Sequence, residues 1–164
     1  MTSLSRALPA AAVVAVLAAG AACWMWRAAE DGLAASPAGQ RNDVGAAVEW
    51  QAAELNSISS ADPAGTVQRW IQVSTGGLAE RLAHDRDSLV RGVEAGKTDI
   101  TGETLRAVVT SVDPGAGKAD AIALLKLSVR DAKANVTVKR IQTRVGLRHV
   151  DGGWKVDEIA NISQ

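Results

Sequence analysis

The chain has 164 residues, and its eighteen basic and eighteen acidic side chains balance, so net charge gives no reason to expect nucleic acid or another polyanion as partner. Five tryptophans stand without a Phe or Tyr, and the single cysteine, Cys23, lies near the amino terminus; the rest of the chain therefore offers no disulfide and no thiolate metal site. Setting aside an apolar N-terminal run and a linker leaves roughly 120 residues, enough for one domain with its own core.

Leu8 to Trp26 is an uncharged run fenced by Arg6 and Arg27. As a helix it would reach roughly 28 Å against a hydrocarbon core of ~30 Å, which predicts a membrane-spanning helix over 8–26 behind a cytoplasmic tail at 1–7. Trp24, Trp26 and Arg27 stand where indole rings and a guanidinium hold a span at the lipid–water boundary. Two other readings compete. A cleaved signal peptide would end on the small residues before Cys23, but bulky tryptophans would then sit just past the cut. A lipoprotein would be acylated on Cys23, but Gly20 stands where a branched apolar residue is usual. Basic residues on the two sides nearly balance, so orientation follows from length instead. So short a tail cannot fold, and the expected topology places the C-terminal domain outside the cytoplasm.

Residues 27–41, with Gly32, Ser36, Pro37 and Gly39, read as a flexible linker, and 42–164 as the exported domain. Apolar residues Val44, Ala47, Val48, Leu55 and Ile58 recur at helical spacing and predict a helix over 43–57, with Trp50 at the edge of the stripe. Asp62-Pro63 opens a second helix, with Val67, Trp70 and Ile71 as its apolar face. Gly76-Gly77 breaks the chain and a third helix runs over 78–93. Its His84-Asp85-Arg86-Asp87 segment reads as a solvated face, because adjacent helical residues diverge by about 100° and no second histidine stands at metal-ligand spacing.

After Lys97 the pattern turns to strands at 103–112, 118–130, 135–150 and 154–162, rich in Val, Ile, Leu and Thr. The joins Asp113 to Gly117, Asp131 to Asn135 and Asp151-Gly152-Gly153 are short, which forces an antiparallel meander. In the third strand Val136 and Val138 share one parity and Ile141, Thr143, Val145 and Leu147 the other. A β-bulge near Lys139-Arg140 would bring both sets to one face.

Arg140, Arg144 and Arg148 alternate along that strand, and Lys126 and Arg130 share a face of its neighbour. In register they form a basic strip on the outer sheet face. It reads either as a solvated, edge-protecting surface or as a docking strip for an acidic partner. Asp113, Asp131, Asp157 and His149 lie at or near strand ends, but no pair is spaced as a catalytic dyad, so no catalytic residue, metal ligand or cofactor site is expected. Gly115-Ala116-Gly117-Lys118 lacks the long loop and the Ser/Thr of a phosphate loop and reads as a turn.

Three helices followed by a curled sheet that ends in Gly152-Gly153-Trp154-Lys155-Val156-Asp157-Glu158-Ile159 resemble the cone-shaped α+β fold of the nuclear transport factor 2-like superfamily, three helices packed on a curved four-stranded antiparallel sheet. One membrane helix ahead of an Ala/Val-rich exported domain resembles the mammalian cell entry (Mce)-associated membrane proteins of actinobacteria. That resemblance implies a non-enzymatic accessory subunit of envelope lipid-import machinery, in the cell membrane and in contact with Mce complex subunits or other envelope membrane proteins. A related architecture occurs in an inner-membrane subunit of type IV secretion and conjugation machines, and these residues do not separate the two. A third reading is a lipid-binding or small-molecule-binding module, with Trp50, Trp70, Val109, Leu125 and Leu127 lining a hollow cone.

Overall fold

The computed structural model describes residues 36–162. The predicted spanning helix over 8–26, with Trp24, Trp26 and Arg27, and the tail at 1–7 lie outside the described residues. Among the described residues no helix is long and apolar enough to cross a membrane.

Helix α1 covers Pro37–Leu55, so the last residues of the predicted linker are helical. Ser36-Pro37 is a helix start rather than a spacer: the Ser36 hydroxyl accepts from the Gly39 N–H at 3.0 Å, and proline suits the first turn, where no N–H is needed. At the other end Asn56 and Ser57 turn their side chains back onto the Ala52 and Ala53 carbonyls at 2.8 Å. Helix α2 is Pro63–Val73, with the Asp62 carboxylate accepting from the Gly65 N–H as its sequence predicts.

The predicted third helix is two helices, α3 at Gly76–His84 and α4 at Arg86–Gly96. Asp85, at φ −90° and ψ 7°, leaves the helical region and serves both as the end of α3 and as the start of α4. The fold thus has four helices where periodicity predicted three, because Leu82, Leu89 and Val93 keep a helical period across a break that apolar spacing does not register.

Strands β1 (Asp99–Asp113), β2 (Lys118–Arg130), β3 (Val136–Val150) and β4 (Gly153–Ile162) form one antiparallel sheet in the order β1-β2-β3-β4, the predicted meander. Its irregularities are not where parity put them. β2 and β3 pair without a shift from Arg130↔Val136 to Lys118↔Arg148, so there is no bulge at Lys139-Arg140. The register slips instead at Leu105 and Thr110 of β1 and at Asp157 of β4, and these extra residues bend the sheet. Val136 and Val138 therefore stay on the outer face with the arginines.

The inner face of β2 is a floor of Ala119, Ala121, Ala123 and Leu125, joined by Val145, Leu147, Trp154 and Val156. Val44, Val48 and Ala52 of α1 lie in the same buried cluster. The small floor lets a helix come close. At Gly102 in β1 the approach is closest: a Cβ there would stand 2.6 Å from the Ala53 carbonyl oxygen, and the Gly102 N–H instead donates to the Ser57 hydroxyl at 3.0 Å. Gln51 is a buried polar residue at this core, its amide donating to the Trp154 carbonyl at 2.6 Å.

Candidate functional site

Antiparallel pairing sets Lys126 beside Arg140, Ile122 beside Arg144 and Lys118 beside Arg148, all on the face turned away from α1. The predicted basic strip is thus assembled by register, and β4 extends it by placing Lys155 beside Arg148. Its members differ in what they already hold. Lys126 pairs with Glu103 of β1 at 2.8 Å, and Arg148 pairs with Asp157, the bulged residue of β4, at 2.8 Å. Arg130 lies near Asp99, whose carboxyl is held below the ordinary range mainly by the Ser60 backbone N–H and hydroxyl, with the arginine adding to the effect. Among the described residues Arg140 and Arg144 have no ion pair, and both are exposed.

Apolar side chains share this face. Val108, Ile122, Val136, Val138 and Ile162 are exposed, and Val136 and Val138 keep 58 % and 56 % of their surface in contact with solvent. Sequence reasoning turned those two valines inward by assuming a bulge. The unbroken run of even-numbered partners, with Arg140 among them, is the signal that would have kept them out.

The five residues proposed to line a hollow cone do not surround one space. Leu125 is fully buried, and Val109 and Leu127 pack against the same core, which includes Val44, Val48 and Ala52 of α1. Trp50 points away and is 58 % exposed. Trp70 donates its indole N–H to the Glu54 and Ser57 carbonyls at 3.1 and 3.0 Å and lines an outer groove of about 520 Å³ with Ile58, Leu89, Gly92 and Val93.

The strand-end acids and His149 serve local structure. Asp113 accepts from the Ala116 N–H in the β1–β2 turn, with the Gly115 to Lys118 segment forming the rest of that turn and the start of β2. Asp131 is held below the ordinary carboxyl range by the Asn135 side-chain amide and backbone N–H, and by the Lys133 N–H. The His149 ring meets Trp154 edge-on at 5.2 Å. His84, Asp85, Arg86 and Asp87 are exposed. Among the described residues no group of three or more His, Cys, Asp or Glu side chains is placed to hold a metal ion.

No family model matches this sequence, and no curated protein matches it by sequence. Its fold is shared with solved structures. CagV of Helicobacter pylori strain 26695, a VirB8 homologue of a type IV secretion system, superposes with a TM-score of 0.58 at 10 % identity, over 75 % of this chain and 98 % of its own. The periplasmic domain of DotI gives 0.59 at 12 % identity, over 79 % and 96 %. VirB8 of Agrobacterium tumefaciens gives 0.53 at 11 % identity, over 73 % and 90 %. The described residues thus share the α+β fold of these secretion-protein domains, with four helices and a four-stranded antiparallel sheet. Nothing in these comparisons supports the Mce-associated resemblance.

Proposed function

We propose that this chain is a membrane-anchored, non-enzymatic subunit of a cell-envelope assembly, held by residues 8–26 and presenting its α+β domain outside the cytoplasm as a contact surface for other envelope proteins. The likeness of fold to periplasmic domains of type IV secretion proteins carries the reading, and it favours an assembly of that kind over Mce-type lipid import. Three features of the domain support it. Leu125, Val109 and Leu127, the sheet residues expected to line a hollow, pack with Val44, Val48 and Ala52 of α1 in the core instead. The polar groups at the strand ends are spent on turns and pairs. The outer sheet face displays Arg140 and Arg144 among exposed valines and isoleucines, a composition suited to an acidic protein surface with an apolar centre.

Lys126 and Arg148 neutralise Glu103 and Asp157 within the fold, whereas Arg140 and Arg144, at the middle of β3, are exposed and available to a partner. Crosslinking of the full chain in native membranes, followed by identification of the partners, should yield envelope secretion proteins. The Arg140→Glu/Arg144→Glu variant should lose those crosslinks while its unfolding midpoint stays within the scatter of surface substitutions, about 0.5 kcal/mol. Unchanged crosslinks in that variant would remove the outer face from the proposal, and a chain that crosslinks to no envelope protein would end it.

A further inference from the structure

The edges of the sheet are not protected alike. β1 begins under a bridge from the α1–α2 segment, where Ile58 and Ile100 exchange hydrogen bonds of 2.8 and 2.9 Å, and two bulges then break its edge at Leu105 and Thr110. The outer edge of β4 is met at Val156 by Ser74 and Thr75, with the Thr75 N–H donating to the Val156 carbonyl at 2.8 Å. β3 is different. β4 accompanies it only from Gln142 to Val150, while Val136 to Ile141 pair with β2 on one side and, among the described residues, with no strand on the other. This segment is regular, and every residue from Val136 to Arg140 is exposed. Bulges, covering segments and short length are the usual defences of a sheet edge. Here the residues offer only charge, Lys139 and Arg140.

We infer that the open edge of β3 at Val136 to Ile141 is a β-augmentation site for an acidic extended segment of a partner protein. Backbone pairing would supply affinity, and side chains on alternate faces would supply choice. On the outer face an incoming strand meets Val136, Val138 and Arg140; on the inner side it meets Thr137, Lys139 and the half-buried Ile141. Its complement carries β-branched residues opposite the valines and carboxylates opposite Lys139 and Arg140. A second copy fits worse, because 136–141 contains no carboxylate and self-pairing would gather two lysines and two arginines into one short ladder. The inference deepens the reading of this chain as one that acts by contact, and assigns the partner chemistry at one edge.

The test uses the full-length chain and a blocked, fluorescein-labelled peptide, Thr-Val-Glu-Glu-Val-Thr-Val, with its Lys-Lys counterpart as control. The glutamate peptide should bind and slow amide hydrogen exchange at residues 136–141. Lys139→Glu/Arg140→Glu should weaken that peptide by about tenfold or more and bind the lysine peptide instead. Lys139→Arg/Arg140→Lys, which keeps both charges, should behave as the unaltered chain. Binding without new protection at 136–141 would overturn the proposal, as would a reversed-charge variant that binds both peptides as before. Protection without peptide would also overturn it: if it grows with protein concentration a second copy occupies the edge, and if it does not, a segment of the same chain does. Any of these results leaves the contact-subunit reading standing, because that reading depends on the native-membrane crosslinks.

Discussion

The two faces of the β2–β3 ladder are made from adjacent residues and do opposite work. The inner face alternates Ala119, Ala121, Ala123 and Leu125 with Thr143, Val145 and Leu147, all buried, and packs against α1. The outer face alternates Ile122, Lys126, Arg140 and Arg144 with Val136 and Val138 and has no covering layer among the described residues. A one-residue shift in register would exchange them, so the regular β2–β3 pairing is what keeps the core and the contact surface apart.

The sharpest way to break this contrast is a matched pair of truncations. Leu125→Ala should cost about 3 kcal/mol in urea unfolding, because a fully buried side chain leaves a cavity. Ile122→Ala, three residues away on the other face, should cost about 1 kcal/mol or less. Equal losses would mean that the outer face is packed against something. Two glycines give a second pair. Gly102→Ala should destabilise by about 1–3 kcal/mol, since its methyl would press on the Ala53 carbonyl. Gly92→Ala, in α4 with nothing beyond its neighbours and the helix's own backbone within 4 Å of the added carbon, should stabilise by up to about 1 kcal/mol.

Gln51→Ala should cost about 1–3 kcal/mol by leaving the Trp154 carbonyl without its donor, and the loss should show in exchange of the β4 amides before those of β2. The smallest effect is electrostatic. Asp99 and Asp131 have depressed carboxyl pKa values in the fold, so their hydrogen bonds stabilise it above the ordinary carboxyl value of 3.8 and are lost as pH falls below that value through the folded-state pKa. Unfolding midpoints followed in acid should fall over that range, and the slope should be shallower in Asp131→Asn.

Much of this was legible in one dimension. Strand β2 has the bounds its composition predicts, Asp62-Pro63 opens a helix as read, and short joins required neighbouring strands to pair antiparallel. Arg140, Arg144 and Arg148 share a face because a strand has a period of two. The misreadings have one origin. Composition reads Ser36-Pro37 as linker, apolar spacing runs through Asp85 without a break, and parity puts a bulge at Lys139-Arg140 to bury two valines. Each time a local pattern was asked to supply a tertiary answer.

Alternation and turn chemistry are covalent neighbours acting on one another, so the succession of helices and then strands, the meander and the sidedness of the arginines were determined by the sequence alone. Tertiary packing decided the rest. That Val44, Val48 and Ala52 of α1 enter the core of the curved sheet depends on how closely a helix can approach an alanine floor. That Lys126 and Arg148 are already paired while Arg140 and Arg144 are not depends on which carboxylates the neighbouring strands bring within 3 Å. That Val136 to Ile141 pair with one strand only among the described residues depends on which part of β3 the β4 ladder reaches. These are facts of distance between residues far apart in the chain, and no period along it encodes them.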